Sequence, residues 1–292
     1  MDRPLRRVVP AIALLLAAAL ALPDLAVVAA PLPPAREVVR FVAADSLRAE
    51  AVIAAARAVP VDDFAPGRYV TAEGDTLPFR LLAPGSPVPG RRYPLVVALH
   101  GSGAIGTDNV AQLGALVRSW ALPDVRRRHP AYVLAPQFPA HSAELAPEWA
   151  DPLPCSRPGP LLPAVLELID SLQSCLPIDG HRLYLTGFSM GASTAWHLLL
   201  LQPGRFAAAV PVAGLPPPRS LAARIGPTPV LILQGTDDEP TRVGATRAMF
   251  RALSARGEAR VRLREYEGVG HAIPPELLLR DDWRSWLFAQ RR

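Results

Sequence analysis

Five continuous apolar runs, separated by stretches of helical character, constrain this chain more than any other feature. They are Leu95 to Leu99, Ala131 to Ala135, Leu183 to Leu185, Ala207 to Val212 and Val230 to Leu233. A strand with one face in water alternates apolar and polar residues, whereas a strand covered on both faces need not. Helical segments fall between and after the runs, at about Asn109 to Ser119, Leu161 to Cys175, Met190 to Gln202, Val243 to Arg256 and Glu276 to Gln290. That alternation predicts an α/β fold, a mostly parallel central sheet with helices on both faces. Arg68 to Thr71 and Leu77 to Leu82 flank Glu73-Gly74-Asp75 and predict an antiparallel hairpin on its N-terminal side. The 34 prolines are no obstacle, because they cluster in the connections (Pro31 to Pro34, Pro84 to Pro94, Pro147 to Pro163, Pro216 to Pro229). No linker or internal repeat divides the chain after about residue 60, so residues 61–292 are expected to form one domain.

The N-terminus reads as an export signal over about residues 1–30. Arg3, Arg6 and Arg7 precede an uncharged Ala/Leu stretch, Val8 to Leu22, which is short for a bilayer span, and small residues follow at Ala26 to Ala30. The competing reading is an uncleaved anchor. Residues 31–60 are expected to supply one or two helices and a linker, from the Val and Leu offsets between Arg36 and Val59. Export to the periplasm or beyond gives meaning to the two cysteines. In an oxidising compartment Cys155 and Cys175 are expected to pair, closing a loop of about twenty residues worth about 3 kcal/mol. No C-x-x-C or His at ligand spacing accompanies them, so no metal or redox centre is expected. Every basic residue is Arg, and the only tight basic run is Arg126-Arg127-Arg128, with no aromatic interleaving. Nucleic acid is therefore not an expected partner.

The chemistry gathers around Gly187-Phe188-Ser189-Met190-Gly191. This G-x-S-x-G follows an apolar run and precedes a helical stretch, the context in which such a serine sits on a sharp strand-to-helix turn. A serine hydroxyl is a weak nucleophile until a base takes its proton, and the base needs an orienting carboxylate. Of the six histidines, His129, His141 and His181 read as solvated loop residues, His197 as helix packing, and His100 as the end of a core strand. His271, in Gly268-Val269-Gly270-His271-Ala272, opens at the same sheet edge as Ser189 and is the expected base. The acid lies among Asp237, Asp238 and Glu239, after the run Val230 to Leu233, which gives the order Ser, acid, His. Amide groups of Met190 and of Ser102, in the turn His100-Gly101-Ser102-Gly103, are the expected donors to an oxyanion.

At this point the chain resembles a known group. Tyr93 to Gly101, Gly106-Thr107-Asp108-Asn109 with Gln112-Leu113, and Tyr132 to Gln137 look like α/β-hydrolases of the phospholipase/carboxylesterase ("predicted peptidase") group, related to polyhydroxybutyrate depolymerase-like and feruloyl esterases. The likeness covers about Arg68 to Trp286. Laid on Gly235 to Met249, it puts the acid on Asp238, with Arg247 and Met249 in step. Gln234 stands where that group usually has His, and Ala104-Ile105 replace a common Glu-Arg pair. The resemblance implies a secreted serine hydrolase that cleaves small or polymer-attached esters through Ser189, His271 and Asp238, without a cofactor or membrane anchorage after processing. Trp149, Gln137 and Ile105 are the expected pocket residues. The rival readings are a serine peptidase of the prolyl-oligopeptidase type and a secreted binding protein on a hydrolase scaffold.

Overall fold

The computed structural model describes residues 36–39, 43–255 and 260–292, without the side chains of 43–47 and 149. In chain order the strands are β1 (Arg36–Val39), β2 (Ala65–Val70), β3 (Thr76–Leu82), β4 (Tyr93–Leu99), β5 (Tyr132–Pro136), β6 (Ala143–Leu145), β7 (Ser156–Pro158), β8 (Ile178–Phe188), β9 (Ala208–Val212), β10 (Val230–Gly235) and β11 (Val261–Tyr266). The helices are α1 (Ala43–Ala58), α2 (Ala115–Arg118), α3 (Pro123–Arg128), α4 (Leu162–Cys175), α5 (Met190–Leu201), α6 (Val243–Ser254), α7 (Glu276–Leu279) and α8 (Asp282–Phe288).

Among the described residues nine strands make one sheet in the order β1-β11-β10-β9-β8-β4-β5-β3-β2, and β6 and β7 pair apart from it. Only β3 runs against its neighbours, antiparallel to both β2 and β5. The five apolar runs all lie in this sheet, and β4 and β5 are buried along their whole length. Successive side chains of a strand point to opposite faces. Leu95, Val97 and Leu99 of β4 accordingly pack with Leu168 and Ile169 of α4, Trp196 of α5 and Met249 of α6. Val96 and Ala98 pack on the other face with Leu116 of α2, Val125 of α3, Leu277 of α7 and Trp283 of α8. Parallel pairing of β4 with β8 sets Leu99 against Gly187, so both strands end at the same level. Chain leaving one strand is thereby delivered beside chain leaving the other.

Several expectations need correction. Arg36 to Val39 is a strand, not helix, and it extends the sheet, so the fold includes residues before 61. It is held by charge. Arg264, 1% exposed, donates from Nε to Glu37 Oε2 at 2.8 Å, and Arg36 Nη2 donates to Glu265 Oε2 at 2.8 Å. The stretch from Asn109 becomes helical only at Ala115, because Asn109 takes φ 57° and Asp108 Oδ1 accepts the N–H groups of Val110 and Ala111 in a tight turn. The C-terminal helix is two, broken where Arg280 is extended. His129 is buried rather than solvated, with Nε2 2.6 Å from Asp281 Oδ2.

The two cysteines are free, Cys155 buried and Cys175 exposed. Between them in the chain runs α4, whose 14 residues make a rod of about 20 Å. Cys175 ends that rod, while Cys155 precedes it in the loop entering β7. Disulfides need Cα atoms within roughly 7 Å, so loop length in residues was the wrong measure of their separation. The export signal read at residues 1–30 lies outside the described residues. Among the described residues no helix is long and apolar enough to cross a membrane.

Candidate active site

β8 runs directly into Ser189, whose φ of 55° and ψ of −119° precede the first residue of α5. A non-glycine residue in this region costs about 1–3 kcal/mol and persists only where its surroundings fix it. Here Ser189 N–H donates to Val212 O at 2.9 Å, and Ser189 O accepts from Ala192 and Ser193 at 3.0 and 3.1 Å. The flanking glycines permit the crossing. A Cβ on Gly187 would lie 2.5 Å from the Gly191 carbonyl carbon, and one on Gly191 would lie 2.2 Å from Leu99 O. No side chain can enter either position without driving α5 off the sheet.

Three side chains from three loops at this edge form a chain of hydrogen bonds. Ser189 Oγ is 2.8 Å from His271 Nε2, and His271 Nδ1 is 3.0 and 3.1 Å from the two oxygens of Asp238. With Nδ1–H donating to the carboxylate, Nε2 is free to accept from the serine hydroxyl. The His271 loop leaves β11, and Asp238 follows the adjacent β10. Asp237 N–H donates to Val269 O at 3.0 Å and ties the two loops together. A Cβ on Gly235 would strike Val269 O at 2.1 Å, so the loops can approach only because that residue is glycine.

The structure distinguishes the acids. Asp238 is buried, whereas Asp237 and Glu239 are exposed and make no contact with His271. Asp238 Oδ1 accepts the N–H of Thr241 at 2.9 Å, and Oδ2 accepts from Gln234 Nε2 at 2.9 Å. Burial alone would raise its carboxyl pKa. The bonds from His271 and Thr241 outweigh that and hold it below the usual carboxylate range. Gln234 is itself fixed by Thr246 Oγ1, which donates to its Oε1 at 3.1 Å. The residue noted as a departure from the resembling group thus serves the carboxylate as a donor. Sequence alone assigns neither Thr241 nor Gln234 a part in the site, because both act by support rather than by chemistry.

His100 shapes the facing turn. Its Nε2 accepts the N–H of Phe138 at 2.9 Å, and its Nδ1 donates to Gly101 O at 2.8 Å. Burial lowers its pKa and keeps the ring neutral, as that pairing requires. The turn lies against the elbow, since a Cβ on Gly101 would come 3.2 Å from the Phe188 ring and 3.5 Å from Ser189 Cβ. Ser102 opens a 3-10 turn and Met190 opens α5, so neither N–H has a partner within its own element. Both residues line a cavity of about 430 Å³ over Ser189, which His271, Leu215 and Pro240 also wall. The hairpin of β6 and β7 closes another side through Ala143, Glu144, Leu145 and Ser156. Of this hairpin, β7 lies inside the Pro-rich connection Pro147 to Pro163 and β6 just before it, and strands of three residues are too short to leave a periodic signal.

Gln137 and Ile105 do not line this cavity. Gln137 is wholly buried behind the turn, accepting from Asn109 N–H on Oε1 and donating from Nε2 to Ala104 O at 3.2 Å and Asp108 Oδ1 at 3.3 Å. Its polar contacts hold the donor turn rather than face a ligand. Ile105 packs against the core. The Trp149 side chain lies outside the described residues. Among the described residues no group of three or more His, Cys, Asp or Glu side chains is placed to hold a metal ion.

A mostly parallel sheet with helices on both faces, carrying a serine on a strained elbow at its carboxyl edge, is the α/β-hydrolase fold, and the chain adopts it. Residues 139–275 match the dienelactone hydrolase family. The chain is similar to a thermostable esterase of known structure, with 34% identity and a TM-score of 0.72, covering 80% of this chain and 64% of that one. It is 28% identical over 149 residues to poly(3-hydroxyalkanoate) depolymerase C of Paucimonas lemoignei, which is 51% of this chain and 33% of the relative. A dipeptidyl peptidase 4 from Porphyromonas gingivalis, at 14% identity and a TM-score of 0.57, covers 78% of this chain and 35% of that one and shares the fold alone. The chain therefore spans a third of the depolymerase and under two thirds of the esterase.

Proposed function

We propose that the protein is an exported serine hydrolase that cleaves carboxylic esters through an acyl-enzyme. The observation that carries this reading is the run of hydrogen bonds from Ser189 to His271 to Asp238, at 2.8 and 3.0 Å, beneath a cavity. His271 Nε2 takes the hydroxyl proton as Ser189 Oγ bonds to the ester carbonyl carbon, and Asp238 holds the Nδ1–H tautomer and steadies the positive ring. The N–H groups of Ser102 and Met190 receive the oxyanion, each worth about 3 kcal/mol of barrier. As the tetrahedral intermediate collapses, the C–O bond to the alcohol breaks and His271 returns the proton to the leaving oxygen. Water, activated by the same nitrogen, then releases the acid and restores Ser189.

Similarity to the thermostable esterase and to the poly(3-hydroxyalkanoate) depolymerase favours an ester over an amide. Residues 1–30 are proposed to direct export and to be removed. The test is labelling by a fluorophosphonate together with turnover of p-nitrophenyl acetate and of aminoacyl p-nitroanilides. Label mapped to Ser189, with ester cleaved in preference to anilide, is the expected outcome. Ser189→Ala should lower ester turnover by about 10⁶-fold. Turnover that survives this change sinks the reading, and faster anilide cleavage replaces it with a peptidase.

A further inference from the structure

Ser156 belongs to two cavities. It lines the cavity of about 430 Å³ over Ser189, and it also lines a neighbouring cavity of about 460 Å³. Three chain segments run past it from one to the other. Ala143, Glu144 and Leu145 wall the first cavity, and Ala146, Pro147 and Ala150, next in the chain, wall the second. On α5, Ser193 faces the first while His197 and Leu201, at four-residue steps along the same helix face, line the second. Beyond β9, Leu215 belongs to the first, and Pro218 and Leu221 to the second. Among the described residues Ser156 alone is common to both. The two spaces are consecutive compartments of one trough, with Ser156 as the wall between them.

That wall is pinned. Ser156 is 2% exposed, and its N–H donates to Pro216 O at 2.8 Å. Its hydroxyl donates to Leu215 O at 2.8 Å, which leaves Oγ as acceptor for His197 Nε2–H at 3.0 Å. The compartments also differ in chemistry. The first holds Ser189, His271 and the oxyanion donors. The second is walled largely by Ala, Pro and Leu side chains, with Arg157 and Arg224 exposed at its margin. No residue of the His271 loop lines the second compartment. A leaving oxygen must face His271 to be protonated, so the group pointing toward Ser156 is the acyl chain.

Resting on the ester-hydrolase reading above, we propose that Ser156 sets the length of acyl group this protein accepts. Short acyl chains end against Ser156, and the apolar compartment beyond it stays closed to substrate. Removing the wall joins the compartments and admits long chains.

The test is the ratio of kcat/KM for p-nitrophenyl octanoate to that for the acetate, with active sites counted by fluorophosphonate titration. Wild type should favour acetate by about tenfold or more, the scale on which a pocket rejects extra methylenes. Ser156→Gly should raise the octanoate-to-acetate ratio by about tenfold. Ser156→Ala keeps the Cβ and loses only the hydroxyl, so it should move the ratio the same way by less, and it decides the matter if the glycine variant does not fold. Adding Ala146→Leu to either variant refills the second compartment and should return the ratio toward wild type. A wild type that turns over octanoate as readily as acetate overturns the proposal, as does an unchanged ratio in the Ser156 variants or an Ala146→Leu change without effect. Failure of Ser189 to take the label would instead overturn the ester-hydrolase reading itself.

Discussion

Two histidine–aspartate pairs sit on opposite faces of the molecule's chemistry. His271 is 3.0 Å from Asp238 with a side chain 26% exposed, and His129 is 2.6 Å from Asp281 with a side chain 3% exposed. As pairs of groups they are nearly the same object. His271 offers its second nitrogen to Ser189 Oγ beneath a cavity. His129 lies edge-on to the Phe288 ring at 5.0 Å, and its carboxylate partner also takes Arg128 at 2.7 Å and Arg284 at 3.2 Å. That second pair clamps the end of α3 to the start of α8. A histidine–carboxylate contact is therefore no sign of chemistry in itself. What the other ring nitrogen meets, and whether substrate can reach it, make the difference.

The comparison can be broken from its strongest side first. Asp238→Asn keeps the shape of the acid but reverses the tautomer His271 is held in, so kcat for an ester should fall by about 10⁴-fold. Asp237→Asn, measured beside it, should leave kcat within a few-fold. If the Asp237 variant is the more damaged, the acid has been misassigned. Asp281→Asn should leave kcat of the folded protein near wild type and lower unfolding free energy by about 3 kcal/mol, because Arg284 loses its buried counter-charge. Denaturant melts read that loss, and a fall in kcat at constant stability would erase the distinction between the pairs.

A third buried histidine sharpens the scale at its weak end. His197 has a serine hydroxyl and no carboxylate, and burial pushes its pKa down to about 4 from an ordinary 6.5. Its neutral form is the one the fold accepts, so the unfolded chain binds the extra proton between those two values. The stability involved is intact above pH 6.5 and drains away as pH falls toward about 4, by up to about 3 kcal/mol. His197→Gln should flatten that part of the stability–pH curve. An unchanged slope would show that His197 is not the group responsible.

How much was legible follows from how local each signal is. The elbow was readable because both glycines fall within one five-residue motif, although only Gly187 is required by that motif's own backbone and Gly191 is required by the carbonyl of Leu99. The buried strands were readable because full burial writes an unbroken apolar run. β1 was not, since its four residues REVV show a half-exposed pattern and are fixed by Glu265 and Arg264, more than two hundred positions away. His129 looked solvated beside Pro130, and only the return of α8 buries it. The cysteine pairing failed because spacing along a chain says nothing about a rigid helix lying between the two thiols. Gln137 was placed near the right turn but on its wrong side, a matter of rotamer and partner that no motif records.

The ion pairs binding β1 to β11 carry a consequence for how the chain is made. Glu37 and Arg264 lie 227 positions apart, so the piece of this sheet synthesised first must wait for the piece synthesised last. Closing so long a loop costs little more than closing one half its length, about 0.6 kcal/mol per doubling, so the delay is one of timing rather than of stability. Until β11 emerges, β1 has no neighbour and β10 is left as an open edge. A chain cut short just before residue 261 would lose two strands of the sheet, one deleted and one stranded without its mate.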